Sequence, residues 1–169
     1  VMEQQLIDQK DSIGKIYTIT HTLDQYMPDE VMFYAVEMLM KLMRTRDVAL
    51  YNVVNQDYAR IFSASSAKAR SLGNSICYRE MTEVYEELTE EKVYINKNMD
   101  PRYPLMARAI YENGDIKMII MLWGLSWEKM TLGQANLLTV VSYLIQNAVL
   151  RAQRYMQALE ENRYSEEGS

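Results

Sequence analysis

The chain has 169 residues, 49% hydrophobic and 24% charged, the balance of one ordinary globular domain with its own core, which excludes disorder as its main state. A formal net charge of -5, with Lys and Arg scattered along the chain, excludes a nucleic-acid surface, because phosphate binding needs basic side chains gathered on one face. The lone cysteine, Cys77, excludes an internal disulfide and a cysteine-rich zinc site, and it fits a reducing, cytoplasmic compartment.

The first predicted element is a heptad helix over residues 1–27. Met2, Leu6, Gln9, Ile13, Ile16, Thr20, Leu23 and Met27 alternate four and three apart, the seam of a helix that packs along another helix, diluted by Gln9 and Thr20. The opening VMEQQLIDQKD is too polar for a signal peptide, and no stretch nears the roughly 20 apolar residues of a membrane span. Because it opens on Val1 rather than Met, the chain is read as a piece of a longer protein, joined to any membrane only through flanking regions. Pro28 ends or kinks the heptad helix, and Asp29 and Glu30 favour a new helix N-terminus through its exposed N–H groups. A second helix is expected from about Asp29 to Met43, with Met32, Ala35, Val36, Leu39, Leu42 and Met43 on one stripe.

From Asp47 apolar residues alternate, so VALYNVV and YARIFSA read as two strands joined by the polar turn Asn55, Gln56, Asp57. SASSAKARSLGNS is small, polar and interrupted by Gly73, which predicts a loop. Tyr78, Met81, Val84, Tyr85 and Leu88 recur at helical steps, giving a short amphipathic helix with Cys77 just ahead of its N-terminus, a setting in which a thiol can become reactive, although a buried structural cysteine is the better reading. A brief strand VYIN and a loop with Pro101 and Pro104 follow. PLMARAIY, the turn ENGD and KMIIMLWG then form a hairpin, since Asn-Gly accepts the positive φ of a type I′ turn. In KMIIMLWG, Ile119, Met121 and Trp123 face one side and Met118, Ile120 and Leu122 the other, so this strand must be central and covered on both faces.

Thr131 caps the last predicted helix, which reaches about Glu161. Leu138, Val141, Ile145, Ala148, Ala152, Tyr155 and Leu159 form one apolar line, with Leu137, Val140 and Leu144 beside its first half. The first half is wide enough to cover a sheet and the second suits another helix. Residues 162–169 are expected to fray.

The segment from PLMARAIYENGD through KMIIMLWG to the "T..Q..LL" entry of the closing helix is similar to the end of a GAF domain, and RDVALYNVVNQDYARIFSASS resembles the first GAF hairpin. The resemblance runs from about Asp29 to Arg151 and rests on element order more than on invariant residues. It implies an α+β fold with a central, mainly antiparallel sheet of five or six strands. The common strand order, 2-1-5-4-3, puts KMIIMLWG in the middle, where its composition had placed it. Long N- and C-terminal helices would pack on one face, with a signalling helix at 1–27, the domain at 28–161 and a tail beyond.

The sequence is poor in catalytic groups. His21 is its only histidine and reads as a solvated helix residue, and no P-loop, HExxH or G-x-S-x-G pattern occurs. The resemblance therefore implies a non-catalytic sensor and dimerisation domain of a larger bacterial signalling or membrane-attached protein. The alternative is a ligand-free scaffold serving only to dimerise. Tyr51, Phe62, Tyr78, Tyr94, Arg108, Met121 and Trp123, with Cys77, are the candidate pocket; aromatic rings around one cation would suit a planar or anionic small molecule or nucleotide. The same residues, in a chain with thirteen methionines, could instead simply fill the core. The Asn-Lys-Phe-Asp-Glu signature of cyclic-nucleotide GAF domains and the surroundings of a bilin-binding cysteine are both missing, so no cofactor is named. "RTRD", Arg44 to Asp47, matches the short R-x-x-D pattern of some cyclic-di-GMP receptors, and GAF enzymes that reduce methionine sulfoxide need several cysteines where one is present. A parallel homodimer is expected through Leu6, Ile13, Ile16 and Leu23 with Leu138, Val141, Ile145, Ala148, Ala152, Tyr155 and Leu159, unless the two terminal helices pair only within one chain.

Overall fold

The computed structural model describes the backbone of residues 28–64 and 75–167 and the side chains of residues 34–61 and 75–162. The heptad residues Leu6, Ile13, Ile16 and Leu23, together with His21, lie outside the described residues. The elements in chain order are α1 (Pro28–Met43), β1 (Asp47–Val53), β2 (Tyr58–Ala64), β3 (Ser75–Cys77), α2 (Thr82–Thr89), β4 (Tyr94–Ile95), β5 (Met106–Glu112), β6 (Asp115–Trp123), a 3₁₀ turn (Trp127–Lys129) and α3 (Leu132–Glu167).

Every strand pair is antiparallel, and the six-stranded sheet is ordered β3-β2-β1-β6-β5-β4. The apolar strand β6 is thus central, between β1 and β5. The five strands read from the sequence keep the expected order, and β3 is an addition at the edge. Ser75, Ile76 and Cys77 pair with Arg60, Ala59 and Tyr58, so hydrogen bonding to a free strand edge prevails where composition read only loop. The short helix accordingly starts at Thr82 rather than Tyr78. Tyr78 and Met81 close a turn, Met81 N to Tyr78 O at 3.2 Å, and Cys77 belongs to β3 rather than to a helix N-terminus.

Burial follows the alternation along β6. Met118, Ile120 and Leu122 enter one core with α1 and α3, and Ile119, Met121 and Trp123 enter a second core with α2. In α1 the stripe Ala35, Val36, Leu39, Leu42 and Met43 is buried. Of α3, Leu138, Val141, Ile145, Ala148 and Val149 are buried in the same core. The second line of α3 is less covered than expected, for Leu137 and Leu144 are half-buried and Val140 is exposed, because α1 already occupies the flank of the sheet. The helix also continues to Glu167 instead of fraying after Glu161.

Helix ends are closed by named groups. The Thr131 hydroxyl accepts the Gln134 N–H at 3.2 Å, the cap expected for α3. The last carbonyls of α1 would be orphans; Gln134 Nε2 donates to Met43 O at 3.0 Å and Lys129 Nζ to Arg44 O at 2.6 Å, so the C-terminus of α1 is tied to the start of α3. Thr45 Oγ1 donates to Trp123 O at 2.6 Å and fixes the same corner to β6. At the C-terminus of α2, the Tyr111 hydroxyl donates to Leu88 O. The Asn113–Gly114 turn has φ of 53° and 83°, as type I′ requires.

Gly124 has φ of 65°, and a Cβ there would lie 2.5 Å from Asp47 Oδ2. Gly124→Ala should cost about 2 kcal/mol from the left-handed backbone alone, read as a lower urea midpoint with an unchanged m-value. Burial raises the Tyr111 phenol from 10.0 to about 12, so the neutral donor form is favoured in the folded state. Its contribution is complete below pH 10 and is lost as pH rises through about 12. Equilibrium unfolding at stepped pH should show that decline, reduced in Tyr111→Phe.

Candidate functional site

The two faces of the sheet differ in the size of their side chains. Towards α1 and α3 the strands present Val48, Leu50, Met106, Ile110, Met118, Ile120 and Leu122. The opposite face carries Ala49, Ala59, Ala107 and Ala109 among its larger residues. Its helical cover is the eight-residue α2, which buries Val84 and Leu88. Small side chains under a short cover leave space, and two cavities open on this face, of about 580 and 310 Å³.

The smaller cavity is lined by Tyr51 from β1, Ser75, Ile76 and Cys77 from β3, Glu80 and Met81 ahead of α2, Arg102, and Met121 and Trp123 from β6. Tyr51 is fully buried and Trp123 8% exposed, yet among the described residues neither the Tyr51 hydroxyl nor Trp123 Nε1 has a hydrogen-bond partner. An unpaired buried donor costs about 1–3 kcal/mol, so two in residues that wall one cavity suit a place where an acceptor would be held. Desolvation raises the Tyr51 phenol pKa, which keeps it neutral and able to donate.

Arg102 at the rim is organised by its loop. Buried Asn96 accepts the Asp100 N–H at 3.0 Å and donates to Asp100 O at 2.8 Å. The Asp100 carboxylate then takes Arg102 Nη2 at 2.8 Å and Nε at 3.1 Å, while the guanidinium lies 5.4 Å from the Tyr103 ring centre. The hydrogen bonds from Arg102 hold the Asp100 carboxyl below the usual carboxylate range. Arg102 therefore brings its charge largely offset.

The larger cavity lies between the β1–β2 turn, the β5–β6 turn and α2, bordered by Val53, Asn55, Gln56, Tyr78, Tyr85 and Tyr111 among others. Tyr78 stands here, its hydroxyl donating to Asn55 O at 3.0 Å and its ring 6.0 Å from that of Tyr85.

Of the residues read from the sequence, Tyr51, Cys77, Met121 and Trp123 meet on one cavity. Tyr78 and Tyr94 share the same core without reaching it; burial raises Tyr94 to about 12. The side chain of Phe62 lies outside the described residues. Arg108 does not join the pocket. It alternates with Ala107 and Ala109, which point to that face, so its side chain leaves towards the helices. There it is 2% exposed, donating through Nη1 to Glu91 O and through Nη2 to the Tyr143 hydroxyl at 3.3 Å. Strand parity, combined with the start of β5 at Met106, could have placed it there. Ile76, Met81 and Arg102 were not in the candidate pocket; only the helical spacing of Met81 had drawn attention to it. In "RTRD", Arg44 is exposed with φ of 53° and the Asp47 carboxylate packs at the Gly124 corner, on either side of the helix-to-strand turn.

Among the described residues no group of three or more His, Cys, Asp or Glu could hold a metal ion, and no helix is long and apolar enough to cross a membrane. No protein-family model and no curated protein matches the sequence. Solved structures do match the fold. The GAF domain of a putative sensor histidine kinase from Pseudomonas syringae pv. tomato aligns over 96% of this chain and 99% of its own, with 10% identity and a TM-score of 0.67. The GAF domain of A. aeolicus nlh2 in an inactive state aligns over 83% and 96%, with 13% identity and a TM-score of 0.64. PelD 156-455 from Pseudomonas aeruginosa PA14 in complex with c-di-GMP aligns with 13% identity and a TM-score of 0.60, over 88% of this chain and 54% of that one. The chain thus spans about half the length of the PelD chains it matches, 49% and 54%. Element order, sheet order and these alignments agree that the fold is that of a GAF domain.

Proposed function

We propose that this chain is a non-catalytic regulatory domain that holds a small molecule on the α2 face of its sheet and reports its presence through α3. The observation that carries this reading is a 310 Å³ cavity walled by Tyr51 and Trp123, whose OH and Nε1 are buried without a hydrogen-bond partner among the described residues. Trp123 can only donate and Tyr51 donates readily, while Ile76, Met81 and Met121 supply apolar, polarisable walls. The ligand class that fits is a compact, largely apolar molecule with at least one hydrogen-bond acceptor. The likeness to the GAF domain of a putative sensor histidine kinase supports the regulatory role. The cyclic dinucleotide named for PelD belongs to a chain about twice as long and is not carried over.

A second reading concerns α3. Ala152, Tyr155, Met156 and Leu159 continue the stripe that Leu138, Val141, Ile145 and Ala148 bury in the core, yet Tyr155 is 59% and Leu159 43% exposed. We infer that two chains pair along this continuation. The seam expected over the whole helix is thereby confined to its second half, because the first half already covers the chain's own sheet.

Both readings have direct tests. In Trp127→Phe, Trp123 is the sole tryptophan, and its fluorescence should respond to compact aromatic carbonyl or carboxylate compounds that also raise Tm. Tyr51→Phe, which removes one unpaired buried donor, should raise the stability of the ligand-free domain by about 1 kcal/mol while weakening binding about tenfold, the value of one hydrogen bond. A broad screen without any Tm shift would favour the ligand-free scaffold. Sedimentation should show a dimer for the wild type and a monomer for Tyr155→Glu/Leu159→Glu with unchanged circular dichroism; a monomeric wild type at high micromolar concentration would refute the pairing. Ile145→Lys, by contrast, should unfold the domain, at a cost of about 3 kcal/mol or more.

A further inference from the structure

Among the described residues, Arg108 is a buried cation with no carboxylate partner, and it is only 2% exposed. A charge so placed must be held by other means. One is Glu91 O, just beyond the C-terminus of α2, where the helix presents the negative end of its dipole. The others belong to the cage around it: the guanidinium lies 5.7 Å from the Tyr111 ring centre and 5.4 Å from that of Tyr143, and it donates to the Tyr143 hydroxyl. Glu91 follows α2, Arg108 and Tyr111 are on β5, and Tyr143 is on α3.

Tyr111 repeats the same connection. Its hydroxyl donates to Leu88 O in the last turn of α2, and its backbone N–H donates to Gln146 Oε1 on α3 at 3.3 Å. The C-terminus of α2 is thus fastened twice to a strand that also grips α3. Its N-terminus follows a turn held by the Tyr78 hydroxyl, which donates to Asn55 O at 3.0 Å, and by Arg79, which pairs with Asp57 at 3.1 Å; its cap residue, Met81, lines the 310 Å³ cavity. The helix thus runs from the cavity to the Arg108 cage.

We propose that Arg108 is the strut that couples α2 to α3, so that movement of α2 over the cavity changes the packing of α3 at Tyr143. As a signalling route this rests on the small-molecule reading given above; as a mechanical link it does not. The shared charge is what makes the link two-way. Withdrawing Tyr143 removes one wall and one acceptor from a cation that is only 2% exposed, and the remaining supports, Glu91 O at the end of α2 and the Tyr111 ring, must adjust.

Hydrogen–deuterium exchange tests the strut with no ligand present. Tyr143 is 46% exposed, so Tyr143→Leu should leave the domain folded. The amides that close α2, Glu90 N to Glu86 O and Lys92 N to Glu87 O, should then exchange about fivefold faster or more. Tyr143→Phe, which keeps the ring and loses only the hydroxyl, should fall between, and Arg108→Lys, if it folds, should match or exceed Tyr143→Leu. Exchange in the β2–β3 pair should not change. Unaltered exchange in α2, or equal acceleration everywhere, would overturn the proposal. In the opposite direction, Cys77→Trp fills the cavity from its half-buried rim. It should alter exchange at residues 143–150 in the otherwise native chain and not in Tyr143→Leu; the same response in both backgrounds would also overturn it. Failure of the ligand screen leaves these results intact, so the two ideas fall separately.

Discussion

Both sides of β6 leave water, and most of the architecture follows from that requirement. Ile119 and Ile120 are neighbours in the chain, point in opposite directions and are both fully buried. A strand of this kind cannot sit at an edge or over solvent; it needs a partner strand on each side and a helical layer above and below. β1 and β5 provide the first, α1 with α3 and α2 with its loops the second. The two layers are unequal, and the inequality is where a site arises. The layer of long helices meets bulky side chains and fills; the layer with one short helix meets alanines and leaves room.

That division also explains how much of the molecule was legible beforehand. The central strand, the Asn113–Gly114 turn, the Thr131 cap and the α1 stripe are local signals, each carried by a few residues whose chemistry permits little else, and each appears where its residues put it. β3 was missed because three residues, Ser75, Ile76 and Cys77, carry too little pattern to identify themselves; the unpaired edge of β2 makes them a strand. The start of α2 was misplaced for a related reason. Tyr78 and Met81 continue its spacing yet belong to a turn, so periodicity alone overran the boundary.

Around the 310 Å³ cavity, Tyr51, Met121 and Trp123 share a face that strand alternation assigns, Cys77, read as preceding a helix, reaches it through β3, and Arg108, named for its charge, does not line it. Its parity on β5 puts it with Met106 and Ile110, and it stabilises the junction of three elements instead. Arg102 was invisible for the opposite reason: its position depends on the Asn96 loop, a set of hydrogen bonds with no periodic signature. Features fixed by local spacing could be read, and features fixed by a loop closing on itself could not.

The tie between Met43 and Gln134 has a consequence for how the helices move. It pins the end of α1 to the beginning of α3. With Thr45 bonded to Trp123 O beside it, that corner joins both long helices to the central strand, so a displacement of either helix there is passed to the other and to β6 before it reaches the rest of the sheet.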